Sequence, residues 1–593
     1  MRRWWPLALI LVVAALLRFT ALGWGLRHLP HNDERAFVES VSEMLAAGDL
    51  NHRFPQYPGL FSYFLGAALA FLPAPQTTPT AYLVARAVNA SFGVLSVLLT
   101  YLLGRRLAGE GAGLFAAALL AVSPPEVRTA HMLRPDVTLH AFVLLALLAC
   151  TRLGPRLRGD LLSGAALGAA TAVKFSAPLL APAYLVRRLS SEGFAWWKPL
   201  AAAAVSVLVF GVLSPYTFLA PDSLQGISKQ FSFHYRARPG ALDYGDTAEA
   251  YGKILLTAVG PAGLLLALVG PVVGRRCWRE TLPLAVLPLT FVAVFSTAGV
   301  HHERFLIPSL GAVCVLAGVT VQAAFAWRPL AGFSLALLSL ASPALESLNY
   351  IRAISGPTNK DLAVDWIQAH YPEGARVLVT AATDLGLDRS RFEVTSVDAL
   401  RTASRMLLGE QDLIVAGHRD REFRPGVERI QVIRRDSPYL GDAVFVLTPP
   451  IGDRRHYASI DLAASSLSAS VDAERLGAIH DGDRSSAWAT AAPATAYMEI
   501  RFPQPTALAR LEIVPRDPAE AAPELEVLGV RSAAVGLERL RVVVGRPPFV
   551  DQVAPLSQVL LLDGAPLLGV RIRPVGALPP RWSVGELELK TRD

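Results

Sequence analysis

Six ionisable residues stand beside the long apolar runs of this 593-residue chain. They are Asp33, Glu34, Arg134, Asp136, Lys174 and Arg304. A charged side chain at the centre of a bilayer costs about 2.5 to 3.5 kcal/mol or more, so its presence there indicates a function or a partner. These six residues are therefore the candidates for chemistry.

The candidates divide into carboxylates and cations that could act together. A carboxylate such as Asp33 or Asp136 can take a proton from a hydroxyl or amine nucleophile. The cations at Arg134, Lys174 and Arg304 can neutralise a phosphate or diphosphate leaving group. Transfer of a sugar from a phosphorylated lipid needs this combination of groups. Arg304 is the first candidate for the phosphate, with Lys174 and Arg134 after it.

Simpler roles stay open for the same residues. An arginine near the end of a span often extends its guanidinium to the interface without further function. Asp33 can cap the helix that begins beside it, and Glu34 can interact with the dipole of that helix. For sugar transfer, we expect Asp33 to be the general base, and Asp136 is the second candidate for that role. Glu34 would orient the loop or help to hold the acceptor.

A metal site is a further alternative at the sequence "HHER", which contains His301, His302 and Glu303. Adjacent residues on one strand or helix point in different directions, so this spacing is a weak ligand set. The sequence therefore names no cofactor, and a divalent metal at these residues stays an open alternative.

The composition is that of an integral membrane protein. The chain is 52% hydrophobic and 18% charged, which is too apolar for a soluble enzyme of this size. Its net charge of +7 lies in short clusters between apolar runs, a distribution that argues against a nucleic-acid partner. The three cysteines fall within or beside the apolar runs, so no disulfide framework is predicted.

The arginines predict how the chain crosses the bilayer. Eleven apolar stretches are predicted to span, at about residues 4–24, 82–104, 111–123, 136–151, 161–174, 176–186, 199–219, 254–274, 281–299, 305–326 and 329–350. Arginine clusters then fall on one side, which the positive-inside rule assigns to the cytoplasm together with the N-terminus. The stretch 58–73 would break this alternation and is predicted to be a re-entrant or surface helix. The six candidates and the C-terminal region are then outside.

The fold predicted is a mainly α-helical polytopic membrane protein with about eleven spans, followed by two extracytoplasmic parts. Residues 1–350 form the transmembrane domain. Residues 351–453 alternate helical and strand patterns and indicate a small α/β subdomain. Residues 454–593 show regular short strands, as in a β-sandwich jelly roll. The soluble parts carry no motif comparable to the six candidates, so we expect them to lie outside the catalytic centre.

The stretch "HNDERAFVESVSEMLAAGDLNHRFPQYPGLF", within residues 17–72, resembles the start of GT-C glycosyltransferases of the protein O-mannosyltransferase and aminoarabinose transferase type. "HMLRPDVTLHAF", "AVKFSAPLL" and "HHERFLIPSL" resemble later segments of these families. "GDLNHRF" departs from them because it lacks proline after the asparagine. The resemblance implies a polyprenyl-phosphate sugar donor, inversion at the anomeric carbon and a catalytic aspartate at Asp33.

The last part of the chain has a resemblance of its own. "AIHDGDRSSAWAT" and "RWSVGELELK" are similar to segments of the discoidin-like, or galactose-binding, jelly roll. Asp481, Asp483 and Trp488 are expected to build the turn and the core rather than to contact a ligand. Domains of this kind often bind carbohydrate at loop tips, but some only pack against a neighbour.

The leading hypothesis is therefore a glycosyltransferase of a bacterial inner (cytoplasmic) membrane, which transfers a hexosyl or pentosyl group. Its partners would be the polyprenyl-phosphate sugar donor, the lipid bilayer and a protein, glycan or lipid acceptor. Two alternatives stay open, a polytopic transporter and a glycan-binding surface assembly protein. A transporter would carry its charges near the bilayer midplane, whereas these lie at one face. Eleven spans are more than an anchor requires.

Overall fold

A computed structural model of the chain divides it into two compact units, Met1–Gly356 and Pro357–Asp593. The residues that the structure describes are 4–26, 32–74, 77–220, 226–228, 244–298, 302–380, 385–397, 412–417, 428–433, 444–448, 457–460, 462, 465–470, 488–490, 495–514, 524–531, 537–539, 542–544, 558–562, 566–575, 582–584 and 586–592.

The first unit is a bundle of helices. They are α1 (Trp5–Phe19), α2 (Asn32–Ala47), α3 (Leu60–Leu69), α4 (Pro79–Ala108), α5 (Glu110–Ala121), α6 (Pro124–Ala130), α7 (Pro135–Cys150), α8 (Arg158–Val173), α9 (Ala181–Leu189), α10 (Trp197–Leu213), α11 (Tyr216–Leu219), α12 (Tyr244–Val273), α13 (Trp278–Phe295), α14 (Ile307–Trp327) and α15 (Pro329–Ile354). Each of the eleven predicted spans overlaps one of these helices. The predicted helical membrane fold is confirmed.

Among the described residues, five helical stretches are long and apolar enough to cross a bilayer. They are α4, α13, α14, residues Asp246–Val273 of α12, and the stretch Pro329–His370 that begins with α15. Many leucines, valines and tryptophans on these helices are exposed, Leu330 by 81% and Val272 by 70%. Exposed apolar surface on this scale is stable against lipid, so the chain is a multi-pass membrane protein.

Small residues let α8 and α10 approach closely. A Cβ atom added at Gly164 would lie 2.2 Å from the carbonyl oxygen of Ala202, and one added at Gly168 would lie 2.3 Å from that of Ser206. The two glycines are four residues apart and therefore share one face of α8, as in membrane helix pairs that pack through small residues. This packing fixes the position of Lys174, which caps the C-terminal end of α8.

The second unit begins with a small α/β layer. Helix α16 (Asn359–His370) starts at a capping box in which Thr358 and Asp361 exchange side-chain hydrogen bonds with the backbone. Its apolar face packs on β1 (Arg376–Thr380) and the neighbouring strands. The other strands of this five-stranded sheet are β2 (Glu393–Val397), β3 (Leu413–Gly417), β4 (Glu428–Ile433) and β5 (Val444–Thr448), in the order β2-β1-β3-β5-β4.

The rest of the second unit is built on one long strand. Strand β9 (Met498–Val514) pairs through its first half with β7 (Ser466–Ala469) and β14 (Pro566–Val575), and through its second half with β13 (Gln558–Leu562) and β16 (Glu586–Arg592). Within the described residues, β6 (Tyr457–Ser459), β10 (Glu524–Val530), β11 (Glu538–Arg539) and β12 (Val542–Val544) complete a sheet of nine strands, and β8 (Trp488–Thr490) pairs with β15 (Trp582–Val584).

Of the three residues named for the jelly roll, one lies in the core and two lie outside the described residues. Trp488 is fully buried and packs in the core with Ile500, Leu511 and Val570. Asp481 and Asp483 lie outside the described residues. The resemblance to discoidin-like domains stays a prediction.

A buried carboxylate links two strands of this part. Glu499 on β9 has a side chain only 6% exposed, and it accepts hydrogen bonds from Arg501 at 2.9 Å and from Arg571 Nε on β14 at 2.8 Å. Partial burial raises the pKa of Glu499, but the hydrogen bonds from Arg571 and Arg501 lower it by more, so the pKa lies below the ordinary glutamate value.

We expect strands β9 and β14 to lose stability in acid because of Glu499. A depressed folded pKa gives stability that is present above the unfolded value of about 4.3 and is lost as the pH falls through the folded pKa. Amide hydrogen exchange of the full chain, corrected for intrinsic rates, measures this loss between neutral and acidic pH. The substitution Glu499→Gln should flatten the dependence.

Glu526→Gln on the adjacent strand β10 is the matched control. Its partner Arg573 lies 2.5 Å away but is 52% exposed, and exposed ion pairs contribute little. The pH dependence of exchange should therefore survive in Glu526→Gln. An equal flattening in both variants would contradict the assignment to Glu499.

Candidate active site

Four chain segments meet at one end of the first unit and bring five of the six candidates into two neighbouring groups, whereas Glu34 pairs with Arg86. Asp33 and Glu34 lie in the first turn of α2, and Asp136 lies in the first turn of α7. Arg134 is the extended residue before α7, and Lys174 caps α8. Arg304 lies in the 3-10 turn Glu303–Phe305 between α13 and α14.

Proline and charge explain why α7 begins where it does. Arg134 has extended backbone angles, and Pro135 occupies the first helical position, where its missing N–H costs nothing. Asp136 then sits in the first turn, where the helix dipole favours a negative charge. The "RPD" sequence thus sets Arg134 and Asp136 on either side of a helix start.

Asp33 accepts from two arginines on one carboxylate oxygen. Its Oδ2 lies 2.8 Å from Arg134 Nη2 and 3.3 Å from Arg304 Nη1. The Asp33 side chain is 43% exposed, whereas those of Arg134 and Arg304 are 19% and 15% exposed. Solvent therefore reaches the carboxylate more easily than it reaches the two cations.

Asp136 forms a second ion pair beside the first. Its Oδ1 lies 2.5 Å from Lys174 Nζ, and both side chains are largely buried. The Lys174 ammonium lies 5.6 Å from the centre of the Phe305 ring, and the Arg304 guanidinium lies 5.7 Å from the same ring. Both cations therefore lie near the Phe305 ring, and cation–π attraction contributes to holding them at the site.

The charges of this cluster do not cancel. Asp33 and Asp136 carry two negative charges, while Arg134, Lys174 and Arg304 carry three positive charges. In a partly buried site an excess cation attracts an anion more strongly than it would in water, because the effective dielectric constant is lower. The geometry suits an anionic ligand with several acceptor oxygens.

Glu34 has a different environment from its neighbour. Its carboxylate is 1% exposed and accepts from Arg86 at 2.8 Å to Oε1 and 2.6 Å to Oε2, in bidentate fashion. The backbone N–H of Leu133 also donates to Oε1, at 2.8 Å. Arg86 in turn donates to the carbonyl oxygens of Leu22 and Trp24, both at 2.6 Å. Glu34 therefore joins four segments of the chain.

Tyr57 belongs to the site although the sequence analysis did not single it out. It lies between α2 and α3, and burial, together with the nearby Asp136 carboxylate, raises the pKa of Tyr57 to about 12. Its hydroxyl group thus stays protonated at neutral pH and can donate a hydrogen bond. A tyrosine before "PGL" has no distinct spacing signal, so the sequence alone does not associate it with the charged cluster.

The described residues of "HHER" make contacts other than metal coordination. Glu303 is paired with the guanidinium of Arg128, with Nη2–Oε2 at 2.6 Å and Nε–Oε1 at 3.1 Å. Arg128 also pairs with Glu346, at 2.9 Å. A cation already occupies the Glu303 carboxylate, and no group of three or more potential metal ligands occurs among the described residues. His301 lies outside those residues, and His302 contacts the Phe305 ring.

Comparison with known proteins connects this site to a family. Residues 80–218 match the family model described as dolichyl-phosphate-mannose-protein mannosyltransferase. This range contains Arg134, Asp136 and Lys174 of the site, and Arg86 behind it. No curated protein matches the sequence at a significant level.

Three solved structures are similar to the chain over much of its length. ArnT from Cupriavidus metallidurans, bound to undecaprenyl phosphate, is 17% identical with a TM-score of 0.48, covering 75% of this chain and 98% of that chain. The Archaeoglobus fulgidus oligosaccharyltransferase is 13% identical with a TM-score of 0.43, covering 70% of each chain.

The mycobacterial arabinofuranosyltransferase AftD is 15% identical with a TM-score of 0.41, covering 100% of this chain and 59% of that chain. These similarities concern the fold alone. The match over residues 80–218 rests on the sequence. It covers "HMLRPDVTLHAF" and "AVKFSAPLL", but neither the stretch within residues 17–72 nor "HHERFLIPSL". It confirms the predicted resemblance to protein mannosyltransferases over residues 80–218.

Proposed function

We propose that this protein is a membrane glycosyltransferase that moves a sugar from a polyprenyl-phosphate-linked donor to an acceptor, with inversion at the anomeric carbon. The observation that carries the proposal is the cluster of Asp33, Asp136, Arg134, Lys174 and Arg304, with one positive charge in excess. A phosphate leaving group supplies the missing negative charge, and a carboxylate supplies the base.

The arginines are the groups suited to the phosphate. Arg134 and Arg304 both contact the same oxygen of Asp33, so a phosphate that enters between them can replace part of that contact. Guanidinium groups bind phosphate through charge-assisted, often paired, hydrogen bonds. Donor binding would then draw the arginines away from Asp33 and make its carboxylate a stronger base. The donor phosphate thus prepares the base for the acceptor.

The reaction then proceeds by direct displacement. The acceptor hydroxyl gives its proton to Asp33 while its oxygen attacks the anomeric carbon. The bond between that carbon and the phosphate oxygen breaks, and the lipid phosphate leaves with the electron pair to Arg304 and Arg134. Attack on the face opposite the leaving phosphate inverts the configuration. Asp33 suits the role of base because it is 43% exposed, whereas Asp136 is 3% exposed.

We further propose a positioning role for Glu34 rather than contact with the acceptor. Arg86 and the Leu133 amide occupy both oxygens of its carboxylate. Because Glu34 and Asp33 are adjacent, the Glu34–Arg86 pair holds the start of α2 against the loop that carries Arg134. This role also explains why two neighbouring carboxylates occur at one helix start.

The membrane orientation completes the proposal. By the positive-inside rule the candidate site faces the extracytoplasmic side of a bacterial inner membrane, where a lipid-borne donor and a water-borne acceptor can meet. The division into a catalytic part (1–350), an α/β subdomain (351–453) and a jelly roll (454–593) is part of the same proposal. All candidate site residues precede residue 305.

The proposed reaction is tested with the purified full chain and a radiolabelled polyprenyl-phosphate sugar. The enzyme should release unlabelled lipid phosphate and transfer the labelled sugar to an acceptor or to water. A transporter or a glycan-binding protein would leave the donor intact. Intact donor after prolonged incubation with cell-envelope acceptors would overturn the proposal.

Asp33→Asn should lower turnover by about 10²- to 10⁴-fold, the usual contribution of a general base. Donor binding should persist or tighten, because the substitution releases Arg134 and Arg304 from a competing charge. Steady-state rates and donor dissociation constants measure the two effects separately. Near-normal turnover in Asp33→Asn together with inactive Asp136→Asn would transfer the role of base to Asp136.

Arg304→Ala should weaken donor binding more than acceptor binding, because it removes a charge-assisted contact to the phosphate. The apparent affinities for the two substrates are measured in the same assay. Arg53→Gln is the matched control, since Arg53 pairs with Asp49 at 2.8 Å in the segment between α2 and α3, apart from the cluster. An unchanged donor affinity in Arg304→Ala, or an equal loss in Arg53→Gln, contradicts the assignment.

Glu34→Gln should lower the free energy of unfolding by about 3 to 5 kcal/mol, because it leaves the buried Arg86 guanidinium without its counter-charge. Its turnover per folded molecule should fall less than that of Asp33→Asn. Thermal unfolding in detergent provides the measurement. The control is Glu39→Gln on the same helix, whose pair with Arg35 at 2.7 Å is half-exposed and should contribute little. Equal stability losses would argue against the positioning role.

A further inference from the structure

A second group of cations lies at the opposite end of the membrane part. Helix α7 runs from Asp136 in the candidate site to Cys150, a rise of roughly 20 Å, and the loop that follows leads into α8. A pocket of about 400 Å³ opens at this loop. We call it the arginine pocket, and Arg152, Gly154, Pro155, Arg156, Arg158 and Leu162 line it.

The three arginines of the pocket converge without a counter-charge. Arg152, Arg156 and Arg158 are exposed, and their guanidinium groups make no hydrogen bond or ion pair within the described part of the chain. None of the described residues that line the pocket is acidic. The nearest acid in sequence, Asp160, is fully buried and is used elsewhere, since it pairs with Arg188 at 3.2 Å and accepts from Tyr184 at 2.8 Å.

Two buried cations hold the backbone of the loop that carries these arginines. Arg188 donates to the carbonyl oxygen of Gly154 at 3.0 Å, and Lys198 donates to that of Pro155 at 2.6 Å. Both cations are buried, and both also donate to the carbonyl oxygen of Gly193 at 2.6 Å. These contacts fix the backbone of the loop, so ligand binding costs less conformational entropy than it would on a mobile loop.

Exposed aromatic rings mark the level of the membrane interface beside the pocket. Trp196 and Trp197, at the start of α10, are 68% and 55% exposed. Tryptophan prefers the headgroup level of a bilayer, and these two rings directly precede Lys198, which binds the pocket backbone. The arginine pocket therefore opens where lipid phosphates are concentrated.

The positive-inside rule accounts for arginines on this side, but it requires neither a fixed loop nor a shared pocket. We propose that the arginine pocket binds a phosphate group, carried by the headgroup of an anionic lipid or by a soluble phosphate compound. Three guanidinium groups supply enough donors for a tetrahedral oxyanion, and Leu162 supplies an apolar wall. The arginine pocket is separate from the proposed donor site, because the two lie at opposite ends of α7.

The test uses the full chain in a neutral detergent with two probes, short-chain phosphatidylglycerol and inorganic phosphate, and measures the dissociation constant of each. Binding of phosphatidylglycerol that inorganic phosphate does not displace identifies the lipid source. Binding of inorganic phosphate, with phosphatidylglycerol no tighter, identifies a soluble source. Either result supports a phosphate site, provided that the affinity depends on the arginines of the pocket.

That dependence is tested by the triple variant Arg152→Gln, Arg156→Gln and Arg158→Gln, which should weaken binding by about tenfold or more. The matched control removes three arginines at the same end but outside the pocket, through Arg105→Gln, Arg279→Gln and Arg328→Gln. Its binding should change by less than about twofold, because separated surface charges are screened by salt.

The three single substitutions in the pocket are measured as well, each with an expected loss of about two- to fivefold, in case the triple variant does not fold. Melting temperatures recorded without a probe verify folding. Equal weakening by the pocket and control variants would reduce the site to general surface charge and overturn the proposal. Absence of binding by both probes would overturn it too.

Discussion

The buried ion pair between Glu34 and Arg86 is the interaction on which the candidate site depends. Both side chains are at most 2% exposed, so neither charge can return to water without unfolding this region. The pair reaches α2, α4, the carbonyl groups after α1 and the Leu133 amide before α7. Because a buried charge without its partner costs several kcal/mol, these segments are held at one fixed separation. Asp33 and Arg134 acquire their distance from this arrangement.

Most buried charges of the membrane part that are discussed above are paired with opposite charges. Clusters in which cations outnumber acids therefore stand out. Arg128 pairs with Glu303 and Glu346, and Arg188 pairs with Asp160. In these places the charges serve to connect helices. Around Asp33 and Asp136 the cations outnumber the acids. Around the α7–α8 loop three arginines face a pocket whose described lining residues include no acid. Excess positive charge therefore marks the two places where we propose that an anionic ligand binds.

The close approach of helices makes such arrangements possible. Gly164 and Gly168 let α8 lie directly against α10, which sets the depth of Lys174 at one end of the helix. At the other end, Lys198 on α10 and Arg188 on α9 donate to the loop that carries Arg156. The α8–α10 interface therefore contributes to the position of both ends. A side chain added at either glycine would collide with carbonyl oxygens, and both ends would shift.

Apolar length and arginine placement were sufficient to predict the helical membrane part, and short sequence segments predicted the family resemblance that is confirmed over residues 80–218. Both kinds of signal are local. Sequence also named Arg134, Asp136, Lys174 and Arg304 as candidates. It could not pair them, since Asp33 and Arg304 are 271 residues apart. Only the tertiary structure showed that Glu34 pairs with Arg86 and Glu303 with Arg128, and that Tyr57 lies near the charges of the site. Those outcomes depend on which buried charge finds a partner, and long-range packing decides that.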